Sequence, residues 1–373
     1  MRALLFTGKG GVGKTTVAAG TATLAAQRGR RTLALSLDAA PSLGDAFDHP
    51  AGPEPVQVDD RLFVQHVDGQ RCFERAWPGL SPHLAGLLDG GPADRLAAAE
   101  VVALPGAEEV LAVLALGEQL RSGRWDLVVV DCPASAAAVR LLAAPHVLGW
   151  YSAWALGPGR AARALLPLQD RLAEARSVLT ASGTTVRLVL TPEALVVAES
   201  RRLWTQLALY GYRVDAVVAN RVFPTGGADL WRAGWAAAQR QQLADVEAAF
   251  APLPVHRSPY RASEPVGVED LAAFAAQLYA GSADPVGPPA PAPEVRVTPC
   301  GEGFVLDLEL PLTRPEDLDL ARSGDDLVLT VAGCRRLLRL PGVLRRCEVV
   351  GARWEPAGLH VRFVPDPAQW MTG

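Results

Sequence analysis

The chain contains very little lysine. Only Lys9 and Lys14 are lysines among its 36 basic residues, and both lie in one glycine-rich loop near the N-terminus. The abundance of Ala, Arg, Gly and Pro is typical of GC-rich codon usage, which replaces lysine by arginine wherever any cation will serve. A lysine is a compact point charge, whereas a guanidinium is a wide planar fork that does not fit a tight backbone loop. The two lysines therefore indicate a binding site that requires an ammonium group.

Three further absences narrow the class of protein. The 36 basic and 40 acidic residues nearly cancel, and this net charge of -4 disfavours a nucleic-acid partner or an anionic membrane as binding surface. No apolar run reaches the ~18 residues that a membrane span needs, so we expect no stable membrane insertion. The five cysteines form no CxxC pair, and their odd number favours reduced thiols and a cytoplasmic location. The six histidines have no metal-ligand spacing and are interpreted as structural or surface residues.

The hydrophobic pattern predicts two domains in the 373 residues. As far as residue 282, apolar strands alternate with helical segments, which is typical of an α/β domain with a doubly wound parallel sheet and helical cover. Strands are predicted at 2–7, 185–191, 214–222 and 253–257, and two others end at Asp38 and Asp131. The Ala- and Leu-rich stretches 70–122 and 146–180 are predicted to be helical, either as ordinary cover or as a lid or apolar client surface.

Proline marks the end of this first domain. Residues 283–294 read ADPVGPPAPAPE and are predicted to form a stiff, extended linker. From 295 to 366, hydrophobic residues recur with a period of two in short segments separated by turn signals. This pattern predicts a small all-β sandwich domain with a core of its own.

The glycine-rich loop fits a phosphate-binding motif. Gly8, Gly13, Lys14 and Thr15 satisfy the pattern GxxxxGK followed by Ser or Thr, between a predicted strand and a predicted helix. In such a loop, backbone N–H groups and the positive end of the helix dipole hold phosphate oxygens. Lys14 would reach the β- and γ-phosphates of ATP, and the Thr15 hydroxyl would be a ligand of Mg²⁺. The predicted nucleotide contacts in the loop are Gly8, Gly10, Gly11, Val12, Gly13, Lys14, Thr15 and Thr16.

Lys9 makes the loop more specific, because GKGGVGKTT is the deviant form of the motif, which carries a second lysine. After the second strand, SLDAAPSLGDAF (36–47) is similar to the switch I segment of the arsenite-pump and tail-anchored-protein-targeting ATPase family. Ala39 and Pro41 replace the Pro and His of that pattern. The resemblance implies that Lys9 is a catalytic cation that reaches across a homodimer to the partner's phosphates. It also implies that Asp38 orients or deprotonates the attacking water; the alternative interpretation of Asp38 is a turn or helix N-cap residue.

Three further segments extend the resemblance over nearly all of residues 1–282. LPGAEE (104–109) resembles a family element, the segment from 131 to 142 resembles switch II, and VVANRV (217–222) resembles the nucleotide-base element. By this resemblance, Asp131 holds Mg²⁺ through water and Asn220 reads adenine. Pro259 and the loop from it to residues 264–267 flank the base. Ala136 and Ala137 replace polar switch II residues that could sense the γ-phosphate.

Residues 295–366 resemble the α-crystallin-like domain found at the C-terminus of some bacterial members of the family. The segments 305–311 (VLDLELP), 340–341 (LP) and 352–359 carry this resemblance. Domains of this kind bind exposed apolar segments by edge pairing or groove docking. The chain lacks the CxxC that binds zinc in the eukaryotic targeting factors and any set of converging thiols for arsenite. Neither zinc nor arsenite binding is therefore predicted.

These observations predict a dimeric, Mg²⁺-dependent ATPase that binds or delivers a hydrophobic protein or a small apolar client. The altered switch II leaves a second hypothesis open, a nucleotide-operated binding switch with little turnover. A third hypothesis is the ATPase subunit of an anion or arsenite pump. Pump subunits of the family are usually tandem repeats, and the single phosphate loop of this chain counts against that hypothesis.

Overall fold

The computed structural model describes residues 1–69, 71–72, 107–155, 160–225, 229–289, 296–331, 333–355 and 358–370. The chain divides into two compact units, one made of residues 1–200 and 214–289 and the other of residues 201–213 and 290–373. Parts of the predicted segments 70–122, 104–109, 146–180 and 283–294 lie outside the described residues. None of the described helices combines the length and apolarity needed to cross a membrane.

The first unit contains an eight-stranded sheet with the strand order β3-β4-β2-β5-β1-β6-β7-β8. Its strands are β1 (Arg2–Thr7), β2 (Thr32–Ser36), β3 (Val56–Asp59), β4 (Leu62–His66), β5 (Leu127–Asp131), β6 (Thr184–Leu190), β7 (Val214–Val222) and β8 (Val255–Pro259). The helices in this part of the chain are α1 (Lys14–Gln27), α2 (Ser42–Phe47), α3 (Ala107–Arg121), α4 (Ser135–Ala155), α5 (Arg160–Leu179), α6 (Ala194–Leu209), α7 (Leu230–Phe250) and α8 (Val268–Leu278). The predicted doubly wound α/β fold is confirmed.

One edge of the sheet differs from a purely parallel arrangement. The strand β3 pairs with β4 in the antiparallel direction, while the other neighbours in the sheet are parallel. Only Asp60 and Arg61 separate the two strands, and Arg61 adopts a positive φ of 56°. Two residues suffice for an antiparallel hairpin, whereas a parallel connection needs a crossover of a dozen residues or more.

The centre of the sheet positions the glycine-rich loop. All six residues of β1 are buried, and β1 lies between β5 and β6 in parallel register. Parallel strands bring their carboxyl ends to one edge of the sheet, which is where ligands bind in open α/β folds. The loop after β1, Asp38 after β2, Asp131 at the end of β5 and Asn220 near the end of β7 therefore share that edge.

The first unit continues beyond residue 282 into the predicted linker. Val286 is fully buried, and Arg30 donates a hydrogen bond of 2.8 Å to its carbonyl oxygen. The carboxylate of Asp284 lies 3.1 Å from Arg30, and the buried guanidinium of Arg187 donates to the carbonyl of Pro285. Residues 283–289 are therefore part of the first unit.

The second unit is an all-β sandwich, as the sequence pattern predicts. One sheet has the order β14-β15-β10-β9 and the other β11-β12-β13. The strands are β9 (Arg296–Cys300), β10 (Gly303–Leu308), β11 (Leu318–Ser323), β12 (Asp326–Val331), β13 (Cys334–Arg339), β14 (Cys347–Glu355) and β15 (Gly358–Pro365), with short helices α9 (Gly342–Arg345) and α10 (Pro367–Trp370). Leu306, Leu329 and Phe363 are buried in one core that both sheets line.

A segment from the middle of the chain completes this second core. Residues 201–213, which include the last turns of α6, group with the β-sandwich. Leu209 is buried in the sandwich core, and Thr205 Oγ1 donates a hydrogen bond of 2.7 Å to the carbonyl of Pro311. The Tyr210 hydroxyl donates to the carbonyl of Arg335 at 3.2 Å. The sandwich therefore requires residues that are distant in sequence from the predicted domain 295–366.

We predict that Val286→Ala in the full chain destabilises the first unit by about 2 kcal/mol, because a buried side chain is truncated within a packed site. Thermal unfolding followed by calorimetry measures the change. Pro288→Ala is the matched control, since Pro288 is exposed in the same segment. Equal, negligible effects of both substitutions would mean that the segment does not stabilise the unit.

Candidate nucleotide-binding site

The glycine-rich loop is held by two close approaches of its backbone to neighbouring groups. A Cβ atom at Gly8 would lie 2.0 Å from the carbonyl oxygen of Val189, and one at Gly13 would lie 2.3 Å from Nδ2 of Asn220. Gly13 also has a φ of 91°, which disfavours any residue with a side chain. Gly10 and Gly11 lie at the exposed tip of the loop, and α1 begins directly after Gly13. The loop therefore presents backbone groups and a helix N-terminus, as a phosphate site requires.

The two lysines of the loop have different surroundings. Lys14 is 8% exposed, and its ammonium donates to the carbonyl oxygen of Lys9 at 3.4 Å. The side chain of Lys9 is 41% exposed, and its ammonium lies 3.7 Å from Oε2 of Glu199 on α6. The other carboxylate oxygen of Glu199 accepts a hydrogen bond of 2.7 Å from the hydroxyl of Ser135. Lys14 is therefore enclosed by its own loop, while Lys9 extends to a neighbouring helix.

Asp131 and Thr15 form the pair of oxygen-bearing side chains expected of a cation site. The Thr15 hydroxyl donates to Oδ2 of Asp131 at 2.7 Å, whereas the buried Oδ1 has no hydrogen-bond partner among the described residues. Burial raises the pKa of Asp131 to about 6, although the Thr15 hydrogen bond and the charge of Lys14 lower it; the charge of Asp38 adds to the rise. Mg²⁺ prefers oxygen ligands, so an unpartnered carboxylate oxygen beside a hydroxyl fits this ion.

Asp38 lies just beyond β2, within a turn that several hydrogen bonds define. Its Oδ1 accepts from the backbone N–H of Ala40 at 3.3 Å, and its own N–H donates to the Ser36 hydroxyl at 3.3 Å. The ring of His66, at the end of the neighbouring strand β4, donates from Nε2 to the carbonyl of Asp38 at 2.9 Å. His66 therefore helps to position switch I. The sequence did not predict this contact, because no histidine of the chain belongs to a recognisable motif.

A pocket of about 300 Å³ lies beside the loop. Asn220, the only asparagine of the chain, is buried there and donates from Nδ2 to the carbonyl of Val12 at 2.9 Å. Arg221 follows it with a positive φ of 56°, an uncommon conformation for a residue with a side chain. The pocket is lined by Gly13, Thr16, Asn220, Arg221, Pro259, Tyr260, Arg261, Ala262, Ser263, Glu264, Pro265 and Phe274. Both residues predicted to contact the base, Asn220 and Pro259, lie in this pocket.

An aromatic cluster adjoins the pocket. Tyr260 stacks on Phe223 with ring centroids 5.2 Å apart and an interplanar angle of 13°. Trp231 and Trp235 pack around the same Phe223, with centroid distances of 6.1 and 6.0 Å. Tyr260 directly follows Pro259, in the loop that the family resemblance assigns to the base. The stack fixes one wall of the pocket, because the Tyr260 ring is held against Phe223.

The strand–loop–helix unit, the two lysines and the paired Thr15 and Asp131 define a P-loop nucleotide-binding protein of the deviant, two-lysine type. Comparison with known proteins gives the family. The profile described as anion-transporting ATPase matches residues 1–172 and 156–280, and that of the HSP20-like domain found in ArsA matches residues 301–363. The chain belongs to the anion-transporting ATPase family of ArsA-like proteins, with the HSP20-like domain at its C-terminal side.

Bacterial relatives match the whole chain or nearly all of it. An uncharacterized protein of Streptomyces coelicolor is 38% identical over 396 residues, which cover 100% of both chains. A protein of Mycobacterium tuberculosis is 36% identical, covering 100% of this chain and 98% of its own. A Chlorobaculum tepidum protein with the provisional name of arsenical pump-driving ATPase is 30% identical, covering 97% of this chain and 96% of its own. The similarity to these relatives therefore covers both units of the chain.

We predict that Mg²⁺ binding to the ATP-loaded protein weakens as the pH falls below about 6, because the cation then has to displace a proton from Asp131. The apparent affinity should fall by up to about tenfold per pH unit below the pKa. Titration of Mg²⁺ at several pH values, followed by the thermal midpoint, measures this dependence.

Asp131→Asn is the control, because ATP itself titrates in this range and affects both proteins equally.

The raised pKa of Asp131 also predicts a difference in stability. The charged carboxylate destabilises the folded protein above pH 6, and this destabilisation disappears below pH 3.8, the ordinary pKa of an aspartate. At pH 7 the variant without ligands should therefore be more stable by about 3 kcal/mol. A Mg²⁺ response with the same pH dependence in both proteins would contradict the assignment.

Proposed function

We propose that this chain is a Mg²⁺-dependent ATPase that acts as a homodimer and couples ATP binding and hydrolysis to the binding or delivery of a hydrophobic client. The observation that carries the proposal is that the two lysines of the loop differ in exposure and surroundings. Lys14 is enclosed by the phosphate loop, whereas the ammonium of Lys9 lies outside it, on a partly exposed side chain. This arrangement supports a role for Lys14 in its own subunit and for Lys9 in a second copy.

The chain's own groups account for the steps of such a reaction. The loop backbone and Lys14 bind the phosphates of ATP, and the pocket around Asn220 receives the base. Mg²⁺, when bound, neutralises charge on the β- and γ-phosphates. Asp38 orients the attacking water or accepts its proton, while His66 and the turn at Ala40 hold it in place. Lys9 of the second copy adds positive charge where the transferred phosphoryl group becomes more negative.

The second domain and the thiols of the chain support the proposed client and the proposed location. HSP20-like domains are sandwiches suited to extended apolar segments, and β9 and β14 are the edge strands of the four-stranded sheet within the described part of this chain. A hydrophobic protein segment is therefore the proposed client, with a small apolar molecule as the alternative. All five cysteines are free thiols, which is consistent with a cytoplasmic location.

A nucleotide-operated switch with little turnover is the second candidate function. Ser135 is the hydroxyl residue of switch II, and its side chain is hydrogen-bonded to Glu199. Ala136 and Ala137 have no polar side-chain atoms with which to sense a phosphate. A pump role with arsenite as ligand has less support, because burial raises the pKa of Cys132, the thiol beside Asp131, and leaves it a poor source of thiolate.

We predict that Lys9→Ala leaves ATP affinity largely intact but lowers hydrolysis by about 10²- to 10³-fold, because one stabilising cation of the transition state is lost. Lys14→Ala, in contrast, should abolish binding. Nucleotide titration and steady-state phosphate release separate the two effects. An equal loss of binding and turnover in Lys9→Ala would place Lys9 in its own subunit's site.

We predict that Asp38→Asn binds ATP normally but turns over about 10²- to 10⁴-fold more slowly, because an amide cannot accept the proton of the water. Asp60→Asn is the matched control, since Asp60 is exposed in the turn between β3 and β4, outside the switch I segment. Wild-type turnover in Asp38→Asn would make Asp38 a turn residue. Absence of phosphate release from the unaltered protein would favour the switch.

A further inference from the structure

Glu199 connects two parts of the nucleotide site through one carboxylate. Its Oε1 accepts the hydrogen bond from the Ser135 hydroxyl at 2.7 Å, and its Oε2 lies 3.7 Å from the ammonium of Lys9. Ser135 is also tied to the loop, because its backbone N–H donates to the carbonyl of Gly8 at 3.1 Å. The carboxylate therefore has a fixed position beside the phosphate loop.

The two contacts of Glu199 differ in strength. A hydroxyl-to-carboxylate hydrogen bond of 2.7 Å is charge-assisted and specific in direction. The pair with Lys9 is longer, and the side chains of Lys9 and Glu199 are 41% and 31% exposed, so water and salt weaken it. Ser135 therefore fixes the carboxylate, while Lys9 is a partner that can leave.

The identity of residue 9 argues against a purely structural ion pair. Arginine provides 34 of the 36 basic residues in this chain, and an arginine would pair with Glu199 at least as well. The presence of lysine rather than arginine at residue 9 therefore indicates a second binding partner that has room for only a compact cation. In the proposed function that partner is the phosphate group of the second copy's ATP.

We propose that Glu199 is a positioning residue that holds Lys9 within its own subunit and competes with the partner's phosphates for it. This inference rests on the proposed homodimeric function. Closure of the dimer then requires that each Lys9 exchange one carboxylate for the more highly charged phosphates. The carboxylate keeps the partly exposed lysine in a defined place, and it opposes closure of the dimer until the partner's phosphates replace it. ATP can shift the equilibrium from the open to the closed dimer only as far as it binds the closed dimer more tightly. The ion pair between Lys9 and Glu199 of one subunit stabilises the open state and so sets part of that balance.

The test measures dimerisation rather than activity alone. Glu199→Gln retains an oxygen that accepts from Ser135 but removes the charge that holds Lys9. With a non-hydrolysable ATP analogue and Mg²⁺, its dimer dissociation constant by analytical ultracentrifugation should be about tenfold lower than that of the unaltered chain, roughly threefold for each of the two lysines released. The difference should shrink at high salt, because the pair is partly exposed.

Two further variants test whether the effect comes from the ion pair between Lys9 and Glu199. Glu174→Gln is the matched control. It removes a carboxylate of α5 that pairs with Arg121 of α3 and not with Lys9, so it should leave dimerisation unchanged. In a Lys9→Ala background, Glu199→Gln should have no further effect, as a double-mutant cycle requires. A shift that persists without Lys9 would overturn the proposal.

The outcomes separate this inference from the proposed function. If the unaltered chain dimerises with the analogue and Glu199→Gln behaves identically or dimerises less well, the positioning role of Glu199 is wrong and the homodimeric function stands. If the unaltered chain remains monomeric at every analogue concentration, both are wrong. A lower dissociation constant that depends on Lys9 and on salt supports the role.

Discussion

The absence of room for a side chain at Gly8 and Gly13 is the constraint on which the site depends. At Gly8 the backbone carbonyl of Val189 leaves no room for a Cβ atom, and at Gly13 the side-chain amide of Asn220 lies close to a residue whose φ of 91° favours glycine. These contacts fix the loop between β1 and α1 at the carboxyl edge of the sheet. Lys14 is thereby enclosed, and Thr15 is brought to the buried carboxylate of Asp131. A single asparagine, in a chain with no other, supports the loop and lines the adjacent pocket.

Much of the fold could be predicted because it depends on local pattern. The strand β7 has the predicted bounds, and the β-sandwich follows from hydrophobic residues with a period of two. The missed features depend on contacts between distant segments. Leu209 joins the sandwich core from the middle of the chain, and Val286 is buried in a segment whose prolines resemble a linker. Period and composition cannot reveal such contacts, because each needs a partner that is remote in sequence.

The residues of the candidate site also fall into two groups, those that could be predicted from the sequence and those that could not. Lys14, Thr15, Asp131 and Asn220 could be placed at one edge from their motifs and from the geometry of parallel strands. His66 and Glu199 could not, since neither belongs to a motif that the residues themselves identify. His66 approaches Asp38 only because β4 pairs with β2, and Glu199 approaches Lys9 only because α6 follows β6. Side chains that position catalytic groups are set by topology, so they become visible only in the structure.

The central claim is that each site combines Asp38 of one subunit with Lys9 of the other, and mixed dimers test it directly. Lys9→Ala and Asp38→Asn subunits, each inactive alone, are mixed in equal amounts and phosphate release is measured. If Lys9 acts across the dimer, the mixed dimer has one complete site, and random pairing restores about a quarter of the unaltered sites. If the mixture stays as inactive as its components, Lys9 serves its own subunit and the account is wrong.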